Sequence, residues 1–186
     1  TIDSSDDSLH SNGSVEIDGG IIVLSTSDDG IHADTSIVFN GSDVTIRKSY
    51  EGVESAVITL NDGSVRIASS DDGVNGSSGS SGGMGGGAMT AQAGVMVTVN
   101  GGYLYIDTSN GDGFDSNGSF AQNGGTVVVN GPTANNNGAV DYNGTYKMTG
   151  GVLIAIGSSG MAEQPDSSST QNTVLYNFTS ALAAGT

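Results

Sequence analysis

Short stretches in which apolar and polar residues alternate recur along most of the chain, in pairs joined by a turn rich in Gly and Asn. Clear examples are SVEIDGGIIVLS from Ser14, SIVFNGSDVTIRK from Ser36 and AVITLNDGSVRIAS from Ala56. Alternation with a period of two places every second side chain on one face, which is typical of a β-strand with one buried side. Asn-Gly and Gly-Gly supply the positive φ that tight corners need. The pattern therefore predicts many short strands separated by tight corners.

An acidic segment precedes these strand pairs at a nearly constant interval. The segments DDSLHS, DDGIHA, YEGVES and DDGVNG align, and a fifth copy, GDGFDS, and a weaker sixth, GAVDY, come after them. The second acidic residues of the first four copies are Asp7, Asp29, Glu51 and Asp72, which lie 22, 22 and 21 residues apart. A fixed period of this length is typical of a stacked repeat protein. The prediction is an all-β fold, a parallel β-helix in which a single chain winds a solenoid of about 22 residues per coil.

Stacking the copies places like residues over like residues, as a solenoid requires. A polar row at the corner between the two strands predicts a ladder of side-chain hydrogen bonds, formed by Asp18, Asn40, Asn61, Asn100 and Asn123. Five apolar rows are expected to form the core. They are Leu9, Ile31, Val53, Val74, Phe114 and Val140; Val15, Ile37, Ile58, Val97, Phe120 and Tyr146; Ile17, Phe39, Leu60, Val99, Gln122 and Met148; Ile22, Val44, Val65, Leu104, Val127 and Leu153; and Leu24, Ile46, Ile67, Ile106, Val129 and Ala155.

Antiparallel hairpins are the structural alternative, because Asn-Gly between two strands is also a strong hairpin signal. Hairpins explain each strand pair but leave the recurrence of the acidic segment unexplained. We therefore expect one β-helix domain over residues 1–186, with two loops. The first, over residues 76–94, is rich in Gly, Ser and Met, which predicts flexibility, and it delays the next acidic copy to Asp112. The second covers residues 162–172.

The charge balance limits the kinds of partner. The 20 acidic residues against 4 Lys and Arg give a formal net charge of −16, which argues against DNA, RNA and anionic membranes. The charge balance permits a cation as partner, and two acidic surfaces can then meet only when a divalent ion lies between them. Cysteine is absent, so neither disulfides nor thiolate metal sites are expected. The chain shows no signal peptide. Because it begins inside a repeat, we expect a processed or trimmed form that has lost any export signal.

The acidic segments predict calcium sites. Neighbouring coils are about 4.8 Å apart, so carboxylates at the same corner of each coil would repel one another or raise one another's pKa. A hard cation with about six to eight oxygen ligands relieves this repulsion, and calcium is favoured over zinc because the candidate ligands are nearly all oxygen. More than one ion is expected. The candidate ligands are Asp6, Asp7, Asp28, Asp29, Glu51, Glu54, Asp71, Asp72, Asp112 and Asp115.

Turn chemistry is the alternative for any single copy, because Asp side chains commonly cap their own backbone. The pair Glu51 and Glu54 favours metal binding, since Glu has no such turn preference. The candidate carbohydrate contacts are aromatic or basic side chains that are expected to face outward. For the histidine, a surface position without a ligand is the simpler interpretation. They are His32, Tyr50, Tyr103 and Tyr105.

The segments SDDGIHAD, KSYEGVES, SSDDGVNG, NGDGFDSNG, NGGTVVVNGPT and GSSGMAE, in this order, resemble a family of bacterial extracellular carbohydrate-binding β-helix proteins. The type member of that family is a clostridial cellulose- and pectin-binding protein that looks like a small polysaccharide lyase. The resemblance implies a right-handed parallel β-helix, several calcium ions, affinity for polygalacturonic acid and for cellulose, and an extracellular or cell-surface location. It carries the calcium role first onto Asp28, Asp29, Glu51, Glu54, Asp71 and Asp72.

The acidic segments and the family resemblance are consistent with four hypotheses of function. The first is a non-catalytic module in which calcium on the stacked carboxylates binds the uronate groups of an acidic polysaccharide. The main alternative is a calcium-dependent pectate lyase with Lys48 as the base. A third is an inverting polygalacturonase using Asp28, Asp29 and His32, and a fourth is an adhesive repeat protein with calcium but no sugar ligand. Exposed strand edges at the ends of a solenoid can pair with another copy, so the sequence does not define the oligomeric state.

Overall fold

The computed structural model describes residues 1–79 and 90–183, whose regular secondary structure consists of β-strands alone. No helix in these ranges is long and apolar enough to cross a membrane. The described strands are β1 (Ile2–Asp3), β2 (Leu9–Ser11), β3 (Ser14–Ile17), β4 (Ile21–Ser25), β5 (Ile31–Ile46), β6 (Val53–Ser69), β7 (Val74–Gly76), β8 (Met96–Val99), β9 (Tyr103–Thr108), β10 (Phe114–Ser116), β11 (Ser119–Gln122), β12 (Thr126–Asn130), β13 (Val140–Tyr142), β14 (Tyr146–Met148) and β15 (Val152–Ile156).

The strands stack in parallel, coil upon coil. A coil contains one short strand after its acidic segment and then the two strands of the predicted pair. In the second and third coils these three stretches run on as the single bent strands β5 and β6, with register shifts at the corners. The short strands stack in the order β2, β5, β6, β7, β10 and β13, which makes six coils. The predicted parallel β-helix is therefore confirmed, and the hairpin alternative is wrong.

The strand register reproduces the five apolar rows expected from the repeat. Ile31 pairs with Val53 and Val53 with Val74, for example, and all three side chains are buried. Burial of each such side chain contributes roughly 1.5–3 kcal/mol. The rows are only partly buried at Leu9 and Leu153, in the first and last coils, because no regular coil covers them on the outer side. The core is thus one continuous apolar column inside the coils.

The C-terminal part of the core also contains two polar side chains that hydrogen-bond each other. Gln122 and Tyr146 occupy inward positions and are fully buried. The Tyr146 hydroxyl donates to Gln122 Oε1 at 2.8 Å, and Gln122 Nε2 donates to the Val152 carbonyl oxygen at 3.0 Å. The ring of Phe114 stacks on that of Phe120, with centroids 4.1 Å apart. An inward Gln is tolerated here because its amide has partners on both sides.

The polar ladder expected at the corner between the strands is present. Asn40 Nδ2 donates to Asp18 Oδ1 at 2.8 Å, and Asn61 Nδ2 donates to Asn40 Oδ1 at 2.7 Å. Asn100 and Asn123 continue the series with bonds of 2.8 and 2.9 Å. Each amide donates to one coil and accepts from the next, so the row satisfies itself along the solenoid.

The two predicted loops have different outcomes. Residues 80–89 of the first loop lie outside the described residues. On its far side the repeat resumes in register, since Met96 pairs with Val57 and the Gly73 amide donates to the carbonyl oxygen of Asp112. Residues 162–172 form no strand. They nevertheless follow the path of a further coil, because Thr170 N donates to the Met148 carbonyl oxygen at 2.9 Å.

The glycine of each acidic segment is explained by the close approach of the coils. A Cβ on Gly52 would overlap with the carbonyl oxygen of Gly73 and with the side chain of Ile67. Gly30 faces the carbonyl oxygen of Gly52 in the same way, and Gly73 faces that of Gly113. These glycines are therefore required by contact between backbones, one coil against the next.

Gly52→Ala is expected to lower the free energy of unfolding by about 1–3 kcal/mol, because the added methyl group meets backbone that cannot move aside. Gly19→Ala is the matched control, since a Cβ at Gly19 meets nothing within 4 Å, and it should stay within about 0.5 kcal/mol of the parent. Urea unfolding followed by circular dichroism measures both. Equal effects of the two substitutions would contradict the packing argument.

Candidate functional site

The acidic segments of successive coils come together along one edge of the solenoid. Strand register stacks the second residue of each short strand into one row. A second row lies three residues earlier in each coil, where the Gly30 amide donates to the Glu51 carbonyl oxygen. We call the two rows together the acidic stripe. Its strand row is His10, His32, Glu54, Asn75, Asp115 and Asp141, and its corner row is Asp7, Asp29, Glu51, Asp72 and Asp112.

Two stacked histidines form the N-terminal end of the acidic stripe. The rings of His10 and His32 are parallel within 6°, with centroids 5.0 Å apart. His10 Nδ1 lies 2.7 Å from Asp7 Oδ2, and this hydrogen bond raises the pKa of His10. His32 Nδ1 lies 3.1 Å from Asp29 Oδ2 and 3.0 Å from Glu54 Oε2. Partial burial alone would lower the pKa of His32, but these carboxylates outweigh it and raise the pKa.

Three carboxyl groups meet in the middle of the acidic stripe. Asp29, Glu51 and Glu54 each place an oxygen within 4.8 Å of the other two. Burial, reinforced by repulsion from Glu54, raises the pKa of Glu51 to about 8 and that of Asp29 to about 7. Hydrogen bonds from Asn75 to Glu51 and from His32 to Asp29 offset only part of this rise. With all three groups ionised, the cluster would carry more negative charge than its protein neighbours neutralise.

A second group of three carboxyls lies at the C-terminal end of the acidic stripe. Oxygens of Asp112, Asp115 and Asp141 lie within 4.8 Å of one another, and Asp115 is buried. Burial and then repulsion from Asp72 raise the pKa of Asp115 to about 9. The pKa values of Asp72 and Asp112 rise to about 7 and about 6, again mainly through burial. This end has no histidine to share its charge.

Asn75 lies between the two carboxyl groups and carries an unsatisfied oxygen. Its side chain is only 8% exposed, and its Nδ2 donates to Glu51 Oε2 at 3.0 Å. Its Oδ1 is buried and has no hydrogen-bond partner. A buried carbonyl oxygen without a donor costs about 1–3 kcal/mol. An amide oxygen in this setting is a suitable ligand for a hard cation.

The stripe lacks basic counter-charges from lysine or arginine. Every ion pair in the described part of the chain joins a histidine to a carboxylate. Half-buried carboxylates without such partners either keep a proton at neutral pH or bind a cation. Oxygen ligands from neighbouring coils fit a calcium ion better than a zinc ion. The donor set of the acidic stripe therefore fits the predicted metal.

Capping of backbone amides accounts for part of the corner row. Asp7 Oδ1 accepts a hydrogen bond of 3.0 Å from the Asp29 amide, and Asp72 Oδ1 accepts one of 2.7 Å from the Asp112 amide. Asp112 Oδ1 accepts in the same way from the amide of Gly138. These bonds run from one coil to the next, so the side chains cap the neighbouring coil and not their own turn. The same carboxylates are therefore both caps of backbone amides in the next coil and candidate metal ligands.

The structure brings most of the predicted metal ligands together. Asp6, Asp7 and Asp28 form a further exposed group at the N-terminal corner, and Asp29 also groups with Asp7 and His32. Asp71 and Asp72 lie on the same corner but belong to none of the three-residue groups in the described chain. The predicted ligands that do group closely are Asp6, Asp7, Asp28, Asp29, Glu51, Glu54, Asp112 and Asp115.

Besides His10, sequence reasoning missed two members of the acidic stripe. Asp141 belongs to the sixth acidic copy, GAVDY, and aligns there with Asp115. Asn75 aligns with Glu54 and Asp115 in the strand row, but a search for carboxylates does not find it because it carries no charge. The signal for both was their place in the repeat, and extending the row through every coil would have found them.

The candidate carbohydrate contacts divide between two faces. Tyr50 is about half exposed beside the acidic stripe, and hydrogen bonding to Asp71 raises its pKa to about 12. Tyr103 and Tyr105 instead lie on the outward side of β9, between Ser64 and Arg66 of β6 and the residues of β12. The Arg66 guanidinium lies 4.9 Å from the centre of the Tyr103 ring. His32 is part of the stripe itself.

The residues of the two enzymatic alternatives are less well placed. Lys48 is exposed and enters none of the ion pairs in the described chain. The polygalacturonase set divides, because Asp28 groups with Asp6 and Asp7 whereas Asp29 groups with His32. Asp29 and His32 lie close to each other, but Asp28 of the same set belongs to a different group.

Comparison with known proteins gives one match. Residues 25–73 match a family model described as a carbohydrate-binding domain-containing protein. This match supports carbohydrate binding. The matched segment contains the middle of the acidic stripe, including Asp29, Glu51 and Glu54. No curated protein and no solved structure matches the chain.

In protein freed of metal by a chelator, thermal stability should fall as the pH rises from about 5 to about 8. The raised pKa values mean that Glu51 and Asp115 keep a proton in the folded state that they lose in the unfolded chain. Their contribution is full below about pH 4 and is lost as the pH passes through about 8 and about 9. Asp115→Asn should flatten this dependence, whereas Asp43→Asn, on an exposed strand position away from the stripe, should not. A stability that rises over this range would contradict the account.

Proposed function

We propose that this protein is a non-catalytic module that binds acidic polysaccharide, of the polygalacturonate type, through calcium ions held by the acidic stripe. The observation that carries the proposal is the concentration of half-buried carboxyl groups without Lys or Arg partners at the spacing of neighbouring coils. The buried Oδ1 of Asn75, which has no hydrogen-bond partner, lies among them. The family match over residues 25–73 supports the carbohydrate part. An extracellular or cell-surface location belongs to the same proposal.

Two groups of residues would hold the ions. Asp29, Glu51 and Glu54 form the first, and Asp112, Asp115 and Asp141 form the second. Each offers one oxygen from each of three carboxyl groups in two neighbouring coils, which fills about three of the roughly six to eight ligand positions around a calcium ion. The remaining ligand positions are therefore free for oxygens of another molecule.

Calcium supplies the attraction that the protein alone lacks. With a net charge of −16, the chain repels a polyuronate at long range. An ion on the stripe neutralises its carboxylates and binds uronate carboxylates from the outer side. Because the coils repeat about every 4.8 Å, the stripe presents ion sites along a line, which suits a linear polymer better than a single sugar.

The aromatic residues extend the contact on two faces. Tyr50, beside the stripe, would pack against the pyranose rings of the calcium-bound chain. Tyr103 and Tyr105 form a separate outward surface with Arg66. That surface has no carboxyl cluster, which makes it better suited to a neutral glucan such as cellulose. The proposal therefore assigns acidic and neutral polysaccharide to different sides of the solenoid.

Calcium titration of the metal-free protein by calorimetry should show binding, and polygalacturonate should bind only afterwards. Glu54→Gln and Asp115→Asn should each weaken calcium binding about 10–100-fold. The matched control Asp43→Asn should leave it unchanged. Glycan binding that persists in excess chelator would contradict the bridging role of calcium. A gain in ultraviolet absorbance from unsaturated product during the titration would favour the lyase alternative with Lys48.

Tyrosine substitutions should separate the two glycans. Tyr50→Ala should weaken retention on polygalacturonate by about 2–12-fold while leaving cellulose retention unchanged, because a lost aromatic contact costs about 0.5–1.5 kcal/mol. Tyr103→Ala should have the reverse pattern. Affinity electrophoresis in gels containing each polysaccharide measures both, and each variant is the control for the other. Loss of both activities in either variant would contradict the assignment to two faces.

A further inference from the structure

The C-terminal end of the core is incompletely covered. Val127 and Val129 of β12 are fully buried in their inward rows. The next members of the same rows, Leu153 and Ala155 of β15, are only partly buried and exposed respectively. Val152, Ile154 and Ile156 are exposed on the other side of β15. The last regular strand therefore presents an open edge and open apolar positions, a combination that favours pairing with another strand.

The segment after β15 already begins another coil. In the fifth and sixth coils the corner is closed by two amides that share one carbonyl oxygen, as when Thr149 N and Gly150 N both donate to Gln122 O, at 2.8 and 3.3 Å. Thr170 N and Gln171 N donate to Met148 O in the same way, at 2.9 and 3.4 Å. Thr170 therefore takes the place of Thr149 one coil further on.

In the preceding coil a strand begins directly after such a corner. Val152 N, three residues after Thr149, donates to the Gly125 carbonyl oxygen at 2.9 Å and starts β15. The equivalent of Val152 is Thr173, so the next strand would be Thr173–Asn177, with the sequence TVLYN. In this register Val174 lies over Leu153 and Tyr176 lies over Ala155, while Leu175 faces outward.

In the structure this segment is present but unpaired. Val174 is 91% exposed and Tyr176 is 69% exposed, whereas Leu175 is 46% exposed. Within the described chain, residues 172–182 make no backbone hydrogen bond to β15. An open gap separates them from it, lined by Leu153 and Ala155 on one side and by Val174 and Leu175 on the other. Two apolar surfaces thus face the same gap without meeting.

One backbone angle distinguishes this corner from those of the preceding coils. The residue before the second strand has positive φ in the fourth to sixth coils, at Gly102, Gly125 and Gly151. Asn172 takes this place in the next coil, and its φ is not positive. Asn adopts the left-handed region more readily than almost any other residue except Gly. A change at Asn172 would turn the following residues back along β15.

We propose that Thr173–Asn177 pairs in parallel with β15 as the last strand of a seventh coil, and that β15 is the docking edge for this segment of its own chain. The preceding corner is already bonded to Met148, so the segment is tethered beside the edge at a high effective concentration. Closure covers Leu153 and Ala155 with Val174 and Tyr176. It also covers the edge of β15 and leaves Thr173–Asn177 as the outermost strand.

Residue-resolved hydrogen exchange by NMR on the 186-residue chain tests the pairing. The amides of Leu175 and Asn177 should exchange about 10-fold or more slowly relative to their intrinsic rates, as expected when about nine molecules in ten are closed. The amide of Ser180, beyond the strand, is the internal reference. Exchange of all three at intrinsic rates would overturn the proposal.

Two substitutions of the same kind at neighbouring positions distinguish the paired segment from a free tail. Val174→Asp places a charge at an inward position of the closed coil and should abolish the protection of Leu175 and Asn177. Leu175→Asp places the same charge outward and should preserve it. Equal effects would contradict the register. Sedimentation of the parent chain at the concentration of the exchange experiment shows whether the protected species is a monomer. Protection that appears only in a dimer would assign the edge to a second copy and overturn the proposal.

Discussion

The parallel hydrogen bonds between coils are the constraint on which the rest of this structure depends. They hold each residue of one coil about 4.8 Å from its counterpart in the next, so whatever the sequence repeats, the structure stacks. Apolar repeats become the buried rows of the core, as in Ile31, Val53 and Val74. Glycine repeats become close backbone contacts, as between Gly52 and Gly73. A repeated charge becomes a line of like charges.

The two polar rows show why the side-chain chemistry matters at this spacing. An asparagine both donates and accepts, so Asn40, Asn61 and Asn100 form a continuous ladder with no external partner. An ionised carboxylate only accepts, so a stack of Asp and Glu cannot satisfy itself. Hydrogen-bond donors inside the acidic stripe, chiefly His32 and the amide of Asn75, bond to carboxyl groups at its N-terminal end and in its middle. The remaining carboxyl groups need protons or a cation, and this need links the fold to the proposed function.

Much of this architecture could be predicted because a fixed repeat carries its own register. Once Asp7, Asp29 and Glu51 are aligned, every apolar row and the asparagine ladder can be found by counting residues. The site was predicted less completely for two physical reasons. A search for charged residues does not find Asn75, because its candidate ligand atom is a buried amide oxygen and not a carboxylate oxygen. The separation of Tyr50 from Tyr103 depends on which strand of the coil carries each residue, and alternation shows only that a residue faces outward. The exposed edge at β15 depends on backbone angles that the sequence does not define.

The most direct test of the central claim is a crystal structure of the protein grown with calcium, with the ions identified by anomalous scattering. The account predicts ions about 2.3–2.6 Å from oxygens of Asp29, Glu51 and Glu54, and of Asp112, Asp115 and Asp141. At least one ligand position around each ion should be filled by water, where a uronate oxygen can replace it. A structure at neutral pH and saturating calcium whose carboxyl groups contact only water and one another would contradict the account. The acidic stripe would then be a row of protonated side chains that cap neighbouring coils.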